Sequence, residues 1–340
     1  MTALLTSFAL SLLLALVIAP AGIRFAWAVG YLDHPEARKL HTSATALLGG
    51  PVVFLAAIIG WGAALALSRR PPGSEAAYLV LGALVALAVG LWDDRFGMRP
   101  SVKLLGQGAA AAMAMASGAI PPLGLPVAIE VFITLVALVS LMNAVNFLDN
   151  MNGMVGGLAT VLLAGFAFAS WERGAIGVAA AQLALAGACL GFLRFNFPTA
   201  RMFLGDAGSL FLGYSLGASA VLAFRAAPAG WGRLGPLLML GYPAFDMIFV
   251  VVSRLREGRK VYEGGKDHTN HRLSRVIQWK STVLLIWFSM AVLCASGLVI
   301  LRLNRPLPAL LLSGLWTALF LWSGWKLSSI PAESRSPTSR

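Results

Sequence analysis

Residues 126–153 read PVAIEVFITLVALVSLMNAVNFLDNMNG, an apolar run long enough to cross a bilayer that ends in a polar segment closed by glycine. Ten more apolar runs occur in the 340 residues, at about 3–26, 46–67, 76–92, 102–118, 154–171, 175–194, 208–224, 234–253, 281–301 and 307–326. At ~20 residues per span, the eleven would hold roughly 220 residues in the membrane. The composition agrees, with 58% hydrophobic and 12% charged residues and a mean hydropathy of +0.79, values that exclude a soluble multidomain protein. The expected fold is an all-α polytopic integral membrane protein of about eleven transmembrane helices, with one transmembrane domain over residues 1–327 and a polar tail over 328–340 read as disordered. Chemistry must then come from loops and helix ends.

The formal net charge of +12 comes from 26 Lys and Arg against 14 Asp and Glu. The basic residues sit in short loops between apolar runs, where orientation and the anionic leaflet account for them, so no nucleic-acid partner is expected. Alternating the loops puts nineteen basic residues on one side and seven, Arg69, Arg70, Arg173, Arg225, Arg233, Arg302 and Arg305, on the other. The richer side is read as cytoplasmic, with the N-terminus outside and the C-terminus inside, although eight of the nineteen come from the loop 254–280 alone. All seven aspartates (Asp33, Asp93, Asp94, Asp149, Asp206, Asp246, Asp267) and all four histidines (His34, His41, His268, His271) fall on that same side. These are residues of metal binding and proton transfer, so the active face is expected there. Residues 1–23 carry no charge and lack the basic start of a cleavable signal, which makes the first run an uncleaved span. Cys189 and Cys294 lie inside apolar runs without a CxxC or Cys/His partner and read as small hydrophobes.

The third run ends Gly90-Leu91-Trp92-Asp93-Asp94-Arg95. Adjacent carboxylates at a helix C-terminus oppose the helix dipole and each other. A bound divalent cation would relieve both conflicts; an interfacial pair with Arg95 is the alternative. The polar end of the fifth run, Asn143 to Gly153, reads either as a cavity wall with amides able to hold an anion or as an Asn-rich capped turn. Gly205-Asp206-Ala207-Gly208-Ser209 opens the eighth run, where Asp206 either caps the helix or completes a cation site with Asp93 and Asp94. Asp246 lies inside the ninth run, as a functional acid or a hydrogen-bonded link between helices. The basic loop after it carries His268-Thr269-Asn270-His271-Arg272, suited to a phosphorylated substrate or simply a positive-inside loop.

In order and placement these segments resemble the polyprenyl-phosphate N-acetylhexosamine-1-phosphate transferases, glycosyltransferase family 4, a group that includes phospho-N-acetylmuramoyl-pentapeptide transferase. Asp93-Asp94 is similar to the family's paired aspartates, Asn143 to Gly153 to its Asn-x-x-Asn-x-x-Asp segment, and Gly205 to Ser209 to its Gly-Asp-x-Gly-Ser. His268-x-x-His271-Arg272 resembles its histidine loop, and Arg38-Lys39-Leu40-His41 with Gly49-Gly50 its first cytoplasmic loop. The resemblance covers nearly the whole chain. It implies transfer of an N-acetylhexosamine 1-phosphate from a UDP-amino sugar to polyprenyl (undecaprenyl) phosphate, with release of UMP, in the lipid bilayer of a bacterial-type inner membrane. It also implies Mg²⁺, with Mn²⁺ able to substitute, and it is compatible with a homodimer. By the same resemblance Asp206, Asp93 and Asp94 hold the metal and Asp93 or Asp94 assists the acceptor phosphate. Asn143, Asn146, Asp149 and Asn152 face the nucleotide, Lys39 the uridine, and His268, His271 and Arg272 the donor phosphates or sugar.

Three departures shape the expectation. Asn152 stands where many members carry a second aspartate, and the first loop, Ala44 to Gly50, lacks a proline and a basic residue before its paired glycines. The histidines are not consecutive as in the peptidoglycan-pentapeptide enzyme, and the eleventh run also fits the branch that starts O-antigen, teichoic acid or other envelope glycans, which favours a UDP-N-acetylhexosamine donor. The rivals are the pentapeptide transferase of cell-wall synthesis, a lipid-linked sugar transporter using Asp246 for ion coupling, and an inert nucleotide-sugar binder. No internal repeat supports the transporter.

Overall fold

The computed structural model describes residues 2–34, 44–67, 69, 72–260, 265 and 267–331. Arg38, Lys39 and His41 of the first loop, and residues 332–340 of the expected tail, lie outside the described residues. The apolar runs fold as helices: α1 (Thr2–Ala28), α2 (Gly49–Leu67), α3 (Ser74–Phe96), α4 (Pro100–Ala116), α5 (Val127–Leu148), α6 (Met154–Glu172), α7 (Ile176–Asn196), α8 (Gly205–Ala226), α9 (Leu234–Met239), α10 (Gly241–Arg256), α12 (Trp279–Leu303) and α13 (Pro306–Ser328), with the short α11 (Thr269–Leu273) in the loop between α10 and α12. Among the described residues nine helices are long and apolar enough to cross a membrane, which makes the chain an all-α polytopic membrane protein.

The expected ninth span is broken. Trp231–Met239 and Gly241–Arg256 meet at a bend of 65°, and counted as one broken span they bring the nine to ten. Pro243 supplies the reason, since its ring and missing N–H bar a continuous helix through the carbonyl four residues earlier. α4, at 17 residues, is shorter than the nine. A two-residue ladder, β1 (Leu32–Asp33) with β2 (Thr45–Ala46), closes the described part of the first loop. It is stitched to the strand-like segment ahead of α8, where the Phe203 amide donates to the Ala46 carbonyl (2.8 Å) and the Gly49 amide to the Phe203 carbonyl (2.9 Å).

α8 is the central column. In its apolar stretch 89% of residues are buried inside the protein, against 6% in α13. α2, α3, α5 and α6 pack around it. Leu310, Leu311, Trp322 and Trp325 of α13 point outward, as lipid-facing side chains do. With no water to drive helices together in a bilayer, close backbone contact between small residues does the work. Gly90 of α3 lies so close to the backbone of Asp206 and Ala207 that any side chain there would overlap it. That contact sets the ends of α3 and α8 side by side.

Replacing Gly90 with valine therefore forces the two backbones apart, with an expected loss of ~1–3 kcal/mol or failure to fold. Thermal unfolding of the detergent-purified variant measures it, and an unchanged Tm would contradict the close approach.

Candidate active site

The two adjacent aspartates at the end of α3 have different partners. Asp94 Oδ1 accepts the backbone N–H of Asp206 (2.9 Å) and its Oδ2 accepts that of Ala207 (3.1 Å). These are amides of the first turn of α8, which lack partners inside their own helix. The positive end of the α8 dipole thus offsets the conflict between Asp94 and the C-terminus of α3. Gly205, at φ +74°, makes room for this: a Cβ there would stand 2.6 Å from Asp94 Oδ2. α8 begins three residues before the apolar run suggests, so Asp206 falls in its first turn. The N-cap position is Leu204, without a side-chain cap bond, which removes helix capping as the explanation of Asp206.

Asp93 and Asp206 instead share a cation. Lys103 Nζ lies 2.8 Å from Asp93 Oδ2 and 2.5 Å from Asp206 Oδ2, and it donates to Asn146 Oδ1 at 3.4 Å. Asn146 Nδ2 donates to Asp206 Oδ1 (2.8 Å) and to Ser209 Oγ (2.9 Å), which fixes the amide's orientation. Two carboxylate oxygens and one amide oxygen therefore converge on one positive atom. Among the described residues no three His, Cys, Asp or Glu side chains are grouped as a ready-made metal centre. The convergent oxygens nevertheless fit a hard divalent cation such as Mg²⁺, with the ammonium as its present stand-in. Lys103 was not among the expected residues. Its signal was a lone lysine in the first turn of an apolar run on the aspartate-rich side, a charge that needs a partner. Arg95 turns elsewhere, donating to the Gly30 carbonyl (2.9 Å) beside the Tyr31 ring.

The polar end of α5 divides by depth. Asn143 donates to Gln107 Oε1 (2.9 Å) and the Val139 carbonyl (2.8 Å), a strut between α4 and α5. Asn146, one turn on, belongs to the cation cluster. Asp149 follows in the turn, where burial of its carboxyl, reinforced by the charges of Asp206 and Asp94, pushes it up to about 8. Asn152 donates to the Pro198 carbonyl (3.1 Å).

The histidine loop forms a second wall. Arg254 grips Asp267 through two bonds of 2.8 Å; burial alone would raise the Asp267 carboxyl, but the guanidinium holds it down to about 2. Asp246 is wholly buried and accepts from His268 Nδ1 (2.7 Å), the Thr269 amide (2.8 Å) and Thr269 Oγ1 (2.5 Å). It therefore ties the loop to α10 and not one transmembrane helix to another. Asn270 donates to Asn150 Oδ1 (2.6 Å), and the His268 ring meets Phe147 edge-on at 6.0 Å, 6.4 Å from the His271 ring. The loop thus leans on the turn that carries Asn146 and Asp149. Arg272 differs from the expected donor contact: its guanidinium donates to the carbonyls of Asp267, Leu327, Ser328 and Ile330, clamping the end of α13 to the loop.

Two measurements follow from these placements. Asp94→Ala orphans two partly buried amides and is expected to lower stability by about 2–4 kcal/mol, whereas Asp93→Ala, which removes one of the two carboxylates on Lys103 and leaves Asp206 and Asn146 in place, leaves Tm nearly unchanged; equal Tm losses would contradict the division of labour. Asp149 binds its proton more tightly in the folded state, so the stability this confers is full below about pH 4 and lost as pH rises through about 8. Relative to Asp149→Asn, the wild-type Tm should fall between those limits and run parallel above them, and a pH-independent difference would place the carboxyl in water.

The family model for glycosyl transferase family 4 matches residues 76–224. A probable undecaprenyl-phosphate N-acetylglucosaminyl 1-phosphate transferase of Bacillus subtilis is 28% identical over 88% of this chain and 86% of its own length. A decaprenyl-phosphate N-acetylglucosaminephosphotransferase of Mycobacterium tuberculosis is 30% identical over 79% of this chain and 75% of its own length. A phospho-N-acetylmuramoyl-pentapeptide-transferase of Desulforamulus reducens is 28% identical, with 79% and 86% covered. The matched segment runs from α3 to α8 and so contains Asp93, Asp94, Lys103, Asn146, Asp149 and Asp206. This chain, with Asp94 seated on the first turn of α8 and Asp93 beside it on Lys103, belongs to glycosyl transferase family 4.

Proposed function

We propose that the protein transfers an N-acetylhexosamine 1-phosphate from a UDP-sugar to polyprenyl phosphate, releasing UMP and leaving a polyprenyl-diphosphate-linked sugar. The relatives' names support the reaction class, and the meeting of Asp93 and Asp206 on one cationic atom is the observation that carries the chemistry. An oxygen of the acceptor phosphate attacks the sugar-bearing phosphorus of the donor, a new P–O bond forms, and the bond to the UMP oxygen breaks. Mg²⁺, or Mn²⁺ in its place, held by Asp206 and Asp93, would neutralise the diphosphate charge. Lys103 neutralises both carboxylates in the resting site and can pair with phosphate oxygens once they are otherwise engaged. Asp94 positions the first turn of α8. Asn146 and Asp149 face the nucleotide, His268 and His271 the donor phosphates or sugar, and Lys39 the uridine.

A UDP-N-acetylhexosamine is preferred over the muramoyl-pentapeptide donor because several relatives are named for N-acetylglucosamine and the histidines here are spaced, not consecutive. The product would then initiate an envelope glycan. The protein works as a single transmembrane domain of eleven spans, the nine long helices with α4 and the bent pair each counted as one more, in a bacterial-type inner membrane, with its N-terminus outside and its active face and C-terminus cytoplasmic. The excess of basic residues on the aspartate side supports that orientation. A transporter would need acids near the bilayer midplane, whereas six of the seven aspartates lie at helix ends or in loops and Asp246 is saturated by donors.

Detergent-purified protein supplied with Mg²⁺, polyprenyl phosphate and a panel of UDP-N-acetylhexosamines should release UMP, and should stop when chelator is added or acceptor withheld. Release of UDP would overturn the reading. Asp206→Asn and Asp93→Asn should each lower kcat at least ~100-fold in folded protein, and full activity in either would remove that residue from the chemistry.

A further inference from the structure

We propose that Asp246 is a positioning residue for His268: a buried carboxylate that keeps the proton on Nδ1 and leaves Nε2 as the ring nitrogen offered to the donor. The proposal rests on the preceding assignment of His268 to the donor site. Its basis is the set of donors around Asp246, which is 0% exposed in the body of α10. Oδ1 accepts both the amide and the hydroxyl of Thr269, and Oδ2 accepts from the His268 ring. With the Thr269 hydroxyl proton committed to Asp246, the Tyr242 phenol donates to Thr269 Oγ1 at 3.2 Å and closes the network. A carboxylate can only accept, so Nδ1 must carry the hydrogen in the 2.7 Å bond. Nε2 bonds to no described residue and is not sealed among the buried, unpartnered atoms.

Anchoring alone does not account for this arrangement. The loop is already held by the Arg254–Asp267 pair before His268, by the Asn270–Asn150 bond after it, and by Arg272 on the carbonyls at the end of α13. A further acid placed inside a membrane protein is expensive and is kept where it acts. Here its second oxygen goes to an imidazole nitrogen, the bond that decides which tautomer the ring adopts. The ring so fixed stands edge-on to Phe147, the residue after Asn146, so its orientation is set relative to the cation cluster as well.

Asp246→Asn tests this because it keeps the shape. Its Oδ1 still accepts both Thr269 bonds, but its Nδ2–H₂ meets Nδ1 with a donor and moves the ring proton to Nε2. In protein labelled with ¹⁵N-histidine and held in nanodiscs, with the His268 signals assigned through His268→Gln, the expected result is Nδ1–H in the wild type and Nε2–H in the variant. The same variant should lose at least ~100-fold in kcat with Tm unchanged, and Asp246→Glu, which restores an acceptor, should recover turnover and the Nδ1–H signal. Full turnover in Asp246→Asn beside an inactive His268→Gln would overturn the proposal and leave the transferase reading standing. Full turnover in His268→Gln would overturn both the proposal and the assignment of His268. If Asp246→Asn does not fold, Asp246→Glu decides: Nδ1–H with turnover supports the proposal, and full turnover with Nε2–H overturns it.

Discussion

The carboxylate of Asp94, seated on the first two amides it can reach in α8, is the contact on which the rest of the site depends. An acid at the C-terminal end of a helix is electrostatically misplaced in isolation. Here it is matched with a second helix whose N-terminal amides lack partners, so each helix end resolves the other's deficit. The pairing requires the backbones to touch, which Gly90 permits on one side and the left-handed Gly205 on the other. Once α3 and α8 meet this way, Asp93 and Asp206 have little choice but to share a cation, and Lys103 enters from α4 to supply it.

The histidine wall is built on a different principle. Its acids are buried against partners, Asp267 on the Arg254 guanidinium and Asp246 on the His268 ring and Thr269, and such pairings contribute more to a unique arrangement than to net stability, because desolvation offsets most of their attraction. The loop that carries His268 and His271 is thereby fixed both to α10 and to the turn after α5. Arg272 extends it to the far end of the chain by holding the carbonyls that follow α13, so a helix almost wholly exposed to lipid still bears on the active face.

Much of this was legible in the chain itself. The apolar runs gave the helices, and the gathering of aspartate and histidine on one side gave the face, because hydropathy and loop alternation are one-dimensional properties. The residues chosen from motifs do gather there: Asp93, Asn146, Asp149 and Asp206 around one cluster, His268 and His271 on the adjoining loop. What could not be read was which atom meets which. Asp93 and Asp94 are indistinguishable as neighbours in sequence, yet one faces Lys103 and the other is consumed by backbone amides. Lys103 sits in a run read only as apolar, and Arg272, grouped with the histidines by adjacency, spends its donors on α13. The break before α10 had a local signal in Gly241 and Pro243 that the hydropathy reading averaged away.

The central claim is that Asp93 and Asp206 define one cation position now held by Lys103. Anomalous diffraction from crystals grown with Mn²⁺ tests it most directly. The account predicts a single peak within ligand distance of both carboxylates, ~2.2 Å from oxygen, with the Lys103 ammonium displaced from between them. A peak at the histidine loop, or saturating Mn²⁺ with Lys103 still bridging Asp93 and Asp206, would contradict it.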